Sequence, residues 1–421
     1  MRPAPGPARQ PQKEPLSHMA IAVPFEEKTD EQKAITEMVR QFADEQILPN
    51  AEHFDHEDEF PTEIVEQLKE LGLFGVTIPE EYGGMGLDLT TYVMIVEELS
   101  RGWISISGVI NTHFIGSYLL VKYGSEEQKQ KYLPRMATGE IRAAFSLSEP
   151  EMGSDVQAIK TAAKKIDDGS YEINGQKMWV TNGLRSDLVF VLVKSDPDAN
   201  PRHKGFTCFI TEKEAGAHEN TGAYAGLTVP PQLRKMGYKG VESTELVYDG
   251  YKCPAENILG GEEAGLNKGF AQMMDALEVG RANVAARGVG IAQRALELAL
   301  KYSQERKTFG KPIAEHQAIQ FKLADMATQV EAARLLTLRA ARLKDAGERS
   351  DMEAGMAKLF ASEAGRFCVE ESFRIHGGYG YSKEYEIERL YRDAPLLLIG
   401  EGTNEMQRII IAKQLVERNP A

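Results

Sequence analysis

The chain predicts an α+β multi-domain fold: an N-terminal α-helical domain, a middle antiparallel β-domain and a C-terminal four-helix bundle. Three changes of texture along the 421 residues carry that expectation. A helical apolar period runs from about 28 to 142. Short β-branched and aromatic runs bounded by turns fill about 143 to 255, and the helical period returns after about 262. The expected units are therefore 23–142, 143–255 and 256–421. Strands and helices do not alternate, which excludes a doubly wound nucleotide fold.

The first unit opens at Asp30, a candidate cap for "EQKAITEMVRQFADEQILP". Ile35, Val39, Phe42 and Ile47 share a face there, and Pro49 marks the expected stop. "PTEIVEQLKELGLFG" is a second helix ended by glycine, "EEYGGMGLD" a loop, and "LTTYVMIVEELSRG" with the segment beyond it more helix. In the middle unit, Asn174-Gly175 and Asn182-Gly183 read as turns. The runs "LVFVLVKSD", "GFTCFIT" and "STELVYDG" read as strands of a sandwich or barrel. In the last unit three stripes predict bundle helices. They are Ile291/Ala295/Leu298/Tyr302, Ile319/Leu323/Met326/Val330/Ala333 and Met356/Phe360/Ala364/Phe367. "GVGIAQ" follows a helix and lacks a third glycine, so it is no dinucleotide fingerprint.

Bulk properties narrow the function. A net charge of −14 argues against phosphate-backbone binding and against a polybasic membrane anchor. Cys208, Cys253 and Cys368 form no CxxC pair, so neither a disulfide framework nor a zinc site is expected. His53 and His56 in "HFDHEDEF" read as a solvated face rather than a metal site. No membrane span is expected, since no stretch approaches the roughly 18 uninterrupted apolar residues one needs. Five prolines in the first 15 residues predict a disordered arm over 1–22. Ser17-His18-Met19 reads as a cloning junction, making Met19 the expected native start.

Five segments hold residues suited to chemistry, each with a plain structural reading beside it. "FSLSEPEMGSDVQA" offers hydroxyls and backbone N–H groups for a heterocycle or phosphate, or is an interdomain loop. "MWVTN" sets an indole beside a threonine, to stack on a flat ligand or to fill a core. "RKTFGKPIAEHQ" is a basic turn suited to an anion, or a helix C-terminus with favourable cations. In "RIHGGYGYSKEYEIERLYRDA" the glycines either stop a helix or admit a ligand close to the backbone. In "LLLIGEGTNEMQR", Glu401 is a first-turn acid of the next helix or a desolvated base with a raised pKa.

In this order and spacing the five segments resemble the acyl-CoA dehydrogenase family over residues 28 to 418. "LSEPEMGSD" and "HGGYGYSKEYEIERLYRD" are similar to its two signature segments, and "QKMWVTNG", "ERKTFGK" and "GEGTNEMQR" are close matches. The resemblance implies FAD lying between domains and across a subunit contact of a homotetramer. Phe145, Leu147, Ser148, Gly153 and Ser154 would hold the flavin edge and pyrophosphate. Trp179 would pack on the isoalloxazine with Thr181 close to N5, and Val180 would also contact the cofactor. Arg306, Thr308, Phe309, His316 and Gln317 of a neighbouring subunit, with Arg374, Gly377 and Gly378, would meet the rest of FAD. Thr403 and Asn404 would cap the flavin side of the base loop. Ser154, Glu278 and Arg281 fall where the family contacts CoA, and Gly400 and Gly402 where the acyl group passes.

The implied reaction is α,β-dehydrogenation of an acyl-CoA to a trans-2-enoyl-CoA. Glu401 would take the α-proton and flavin N5 the β-hydride, and the electrons would go on to an electron-transferring flavoprotein. The carbonyl would be held by the Glu401 N–H and a ribityl hydroxyl. Some members carry the base just before the arginine matching Arg281; that position here is Gly280, which leaves Glu401. Two departures stand out: Arg374 replaces the usual Gln or Glu, and Gly400 replaces a frequent tyrosine. Gly400 predicts a substrate widened near Cα or Cβ by a branch or ring. No arginine lies in "GWISISGVINTHF", which disfavours a dicarboxylate. The rival readings are an oxygen-using acyl-CoA oxidase and a catalytically silent flavin- or CoA-binding protein. The implied compartment is the cytoplasm of a bacterium, or the mitochondrial matrix of a eukaryote.

Overall fold

The computed structural model describes residues 28–420, so the expected arm over 1–22 and the expected start at Met19 lie outside the described residues. Helices come first: α1 (Asp30–Phe42), α2 (Leu48–Glu57), α3 (Thr62–Glu70), α4 (Leu89–Gly102), α5 (Ile104–Tyr123) and α6 (Glu126–Ala137). Thr29, not Asp30, caps α1, in a reciprocal box with Gln32. Pro49 does not stop the first helix. A π-turn over Ala43–Ile47 leads into α2, where proline occupies the first turn and needs no N–H partner. Among the described residues α5 is the one helix long and apolar enough to cross a membrane. However, 89% of its apolar window is buried inside the fold, as in a central core helix. The "HFDHEDEF" run is not a plain solvated face: Asp55 is fully buried against Arg392 (2.5 Å), and His56 meets Glu388 at 3.2 Å.

Seven strands follow: β1 (Ala143–Ser146), β2 (Ala162–Lys165), β3 (Tyr171–Thr181), β4 (Leu188–Lys194), β5 (Phe206–Glu212), β6 (Leu227–Thr228) and β7 (Ser243–Cys253). They form one sheet in the order β1-β4-β2-β3-β7-β6, with β5 also on β4. Most pairs are antiparallel; β1 and β2 run parallel to β4, because long connections rather than hairpins join them to it. Asn174-Gly175 is not a hairpin turn. It is a bulge inside β3, where a Cβ on Gly175 would crowd Thr161. Alternate side chains divide the sheet into two faces. Leu188, Phe190 and Leu192 join the core shared with the helices, while Val189, Val191 and Val193 form a second core on the far face.

The remaining helices are a short α7 (Gly261–Gly265), the 37-residue α8 (Gly269–Glu305), α9 (Gln317–Asp345), α10 (Asp351–His376), α11 (Ile387–Ile399) and α12 (Asn404–Arg418). A two-residue ribbon, β8 (Lys307–Thr308) with β9 (Lys311–Pro312), tightens the turn between α8 and α9. The expected stripe on α10 is displaced. Ala354, Ala357, Ala361 and Ala364 face the bundle, whereas Phe367 is 36% exposed. The small residues permit close helix approach: a Cβ on Gly288 of α8 would crowd the backbone of Ala361. That approach sets α8 between α4 and α5 on one side and the bundle on the other, at the wall of the main cavity.

Candidate active site

A cavity of about 900 Å³ lies where the helical units meet the edge of the sheet. Asn111 and Thr112 of α5, Arg281, Val284 and Arg287 of α8, and Leu396 of α11 line it. So do the loop after β1 and the segment Ile399 to Thr403. Three of the five segments singled out in the sequence converge here. Phe145, Leu147, Ser148, Gly153, Ser154, Trp179, Thr181, Arg281, Gly400, Glu401, Gly402 and Thr403 all reach the cavity.

Glu401 is not a first-turn acid. Thr403 is the N-cap of α12, its hydroxyl accepting from Met406 N, and Glu405 holds the first-turn place. Glu401 precedes the cap with φ 51°, in the left-handed region, and Gly402 follows at 88°. A non-glycine residue held there costs about 1–3 kcal/mol, and its surroundings must impose it. The reward is aim: the carboxylate is turned inward. Asn111 Nδ2 donates to its Oε1 at 2.6 Å, and Oε2 is buried without a hydrogen-bond partner among the described residues. Burial raises its pKa; the Asn111 bond and the charges of Arg287, Lys358 and Arg281 oppose that without cancelling it. Gly280 is part of the same arrangement, because a Cβ there would overlap Oε2. The position that cannot supply a base leaves room for one.

Another part of the cavity lining suits a flat aromatic cofactor. Trp179 is not a core residue: it sits at φ 63° and is 59% exposed, with its indole on the cavity. Thr181 lies two residues on, as the sequence expects. Lys177, fully buried, fixes the neighbouring loop by donating to Leu147 O and Glu149 Oε1, each at 3.0 Å. Burial pushes the Lys177 pKa down to about 8 against the pull of Glu149. Gly153 has nothing near the place of its Cβ, so the loop is open to a ligand.

Other expected site residues lie elsewhere. The Val180 side chain belongs to the second core of the sheet. Asn404 is buried, accepting from Lys358 (2.8 Å) and donating to Glu363 (2.9 Å). Glu278 is engaged by Lys344 (3.1 Å) and Ser350 (2.5 Å). A second, exposed group forms where the α8–α9 turn meets the end of α10. Thr308 and His316 are 3.2 Å apart, and Arg306 lies 5.7 Å from the centre of the Tyr379 ring. Arg374 pairs with Glu370 at 2.7 Å, and Gly377 has φ 61°. Gln317 starts α9 and Gly378 follows α10.

Sequence reasoning missed Asn111, Tyr238 and Arg287. All three line the cavity, and Arg287 stacks 4.8 Å from the centre of the Tyr238 ring. A signal existed for two of them: Asn111 and Arg287 are polar residues within long, largely apolar or small-residue runs of α5 and α8.

One cavity of an α-β-α architecture thus joins a buried carboxylate, an exposed indole and a threonine, side chains of a kind suited to a flat ligand. Comparison with known proteins makes this specific. The chain matches the acyl-CoA dehydrogenase N-terminal domain over residues 29–140, the middle domain over 144–251 and the C-terminal domain over 267–416. It is 43% identical to the acyl-CoA dehydrogenase of Bacillus subtilis over 389 residues, 92% of this chain and 98% of that one. Among solved structures, one chain in that of the electron transferring flavoprotein of Acidaminococcus fermentans aligns with TM-score 0.85 and 37% identity, covering 93% and 99%. The acyl-CoA dehydrogenase from Bacillus anthracis complexed with FAD aligns with TM-score 0.85 and 35% identity, covering 93% and 68%. The chain belongs to the acyl-CoA dehydrogenase family. It is an oxidoreductase acting on CH–CH groups, and its cofactor is FAD.

Proposed function

We propose that the protein dehydrogenates an acyl-CoA thioester between Cα and Cβ, with Glu401 as the base and a trans-2-enoyl-CoA as product. The observation that carries this is the Glu401 carboxylate: buried, held by Asn111, and facing the cavity that Trp179 and Thr181 share. A carboxylate with a raised pKa is better matched to a weakly acidic C–H than an exposed one. Glu401 takes the α-proton, and its backbone N–H holds the thioester carbonyl as charge develops there. Bound FAD supplies the acceptor for the β-hydrogen and its electron pair. Phe145, Leu147, Ser148, Gly153 and Ser154 bind its edge and phosphates, while Trp179, the Val180 backbone and Thr181 orient it. Arg281, Ser154 and Glu278 serve the CoA portion. The apolar walls exclude water, which strengthens these interactions.

The exposed group of Arg306, Thr308, Phe309, His316, Gln317, Arg374, Gly377 and Gly378 serves the FAD of a second copy in a homotetramer. Phe309, 98% exposed at φ 52°, is hard to account for otherwise. Thr403 and Asn404 support the base loop. Units of 23–142, 143–255 and 256–421, a cytoplasmic setting and reoxidation by an electron-transferring flavoprotein complete the reading, the last supported by the Acidaminococcus neighbour.

Gly400 points to width at the reacting carbons. It lines the cavity, and a Cβ there meets only Leu396 O at 3.2 Å and Leu396 Cδ1 at 3.8 Å. A side chain would need a small shift of the Leu396 carbonyl, and without one the space at this place is left to a branch. The test is anaerobic bleaching of the flavin with straight, branched and aromatic acyl-CoAs. Bleaching by at least one is expected, and none by any would reject dehydrogenation. Gly400→Tyr should cut the branched-to-straight rate ratio about tenfold or more. An unchanged ratio would reject the role of Gly400.

A further inference from the structure

Of the four buried arginines among the described residues, two have carboxylate partners and two on α8, Arg281 and Arg287, have none; Arg281 is already given to the CoA portion. Arg101 bonds Glu98, Asp44 and Glu297, and Arg389 bonds Glu386. Arg287 differs. It is 4% exposed, and its Nε and Nη2 have no hydrogen-bond partner among the described residues. It lines the cavity of Glu401, one face of its guanidinium held against Tyr238. Making room for that tyrosine takes a glycine, since a Cβ on Gly108 would overlap the Tyr238 ring and hydroxyl. The Arg287 charge acts on the Glu401 carboxylate without a hydrogen bond to it, and a buried guanidinium with unfilled N–H donors is stabilised by an anionic ligand group that fills them.

Its place along α8 indicates which part of a ligand it meets. Gly280, against the Glu401 carboxylate, Val284 and Arg287 are spaced i, i+4, i+7, hence on one face. Arg287 Cα is then about 10 Å along the axis from Gly280. Helical side chains lean toward the N-terminus, which returns the guanidinium by about one turn. The remaining distance of roughly 5 Å is that from an α-carbon to the far carboxylate of a short diacid, given C–C bonds of about 1.5 Å. The arginine that "GWISISGVINTHF" lacks comes into the same cavity from α8 instead.

Resting on Glu401 as the α-proton base, we propose that Arg287 is the specificity residue for a carboxylate on the acyl group, so that the substrate is the CoA monothioester of a short dicarboxylic acid. The guanidinium offers that carboxylate two directed N–H donors, while Tyr238 keeps its plane fixed. The acid end is anchored away from the base, and the α-carbon is set beside Glu401.

The test uses FAD-loaded enzyme and two thioesters of equal length, glutaryl-CoA and pentanoyl-CoA. The wild type should bleach anaerobically with both and prefer glutaryl-CoA. Arg287→Leu should lower the glutaryl-to-pentanoyl ratio of bleaching efficiency about a hundredfold, and Arg287→Lys should restore part of it. In a Glu401→Gln background, where binding is read without turnover, Arg287→Leu should weaken glutaryl-CoA far more than pentanoyl-CoA. Bleaching by pentanoyl-CoA but not glutaryl-CoA would overturn the proposal and leave the base assignment standing. So would equal losses on the two thioesters. A change in the oxidised flavin spectrum of Arg287→Leu with no change in the ratio would assign the residue to the cofactor and overturn it. Bleaching by no acyl-CoA at all would instead reject the underlying reading.

Discussion

Two loops between helices drew attention for the same reason, residues suited to a ligand at a helix junction, and they fold to opposite environments. The Glu401 loop is turned inward: Asn111 grips one oxygen and the other is buried. The Arg306–Gln317 turn faces outward, with Phe309 98% exposed and the Thr308 hydroxyl beside His316. Local composition does not tell such loops apart; what packs over them does. A base gains strength from desolvation, so its loop is covered by its own chain. An exposed basic and aromatic turn reaches full effect only when something else covers it. Within this chain the first loop is covered and the second is an open surface.

The contrast can be broken at either loop. At the inner one, Asn111→Leu removes the hydrogen bond that stabilises ionised Glu401, and the pKa, already raised by burial, rises further. The base is active when ionised, so the rising limb of the bleaching-rate profile should move to higher pH. The rate near neutrality should fall about 10- to 100-fold and recover in part as pH increases. A uniform loss with an unshifted profile would make Asn111 merely structural. At the outer loop the effect should be smaller. Arg306→Ala should weaken FAD binding about tenfold, measured by flavin fluorescence, and more so on dilution. FAD affinity that is unchanged and independent of protein concentration would mean that this turn serves no cofactor.

Much of the architecture was legible because hydrophobic period is a local property. The order of helices, strands and helices follows from it, although the helix expected through "PTEIVEQLKELGLFG" already stops at Glu70, ahead of Gly72 at φ 71°. The errors came where tertiary packing overrides a local signal. Pro49 sits inside a helical run because a π-turn before it frees the proline of a hydrogen-bonding duty. Asn174-Gly175 bulges within β3 because Thr161 lies too close for a side chain. On α10 the alanines face the bundle instead of Phe367, because α8 comes too near for a ring. Within the site, Glu401, Trp179 and Thr181 stood out because they occur in recognisable runs. Asn111 and Arg287 lie on helices buried nearly all round, where no periodicity marks the side that lines a cavity. In the sequence Gly280 is the loss of a base; only the assembled fold gives its missing Cβ the opposite meaning.

The central claim is that the Glu401 carboxylate removes the α-proton. It is tested most directly by anaerobic stopped-flow reduction of the FAD-loaded wild type and Glu401→Gln with one acyl-CoA that bleaches the wild type. The variant should bind FAD normally, still perturb the flavin spectrum on binding the thioester, and lose about 10⁴-fold in bleaching rate. Bleaching by Glu401→Gln at a rate within a few-fold of the wild type would contradict it.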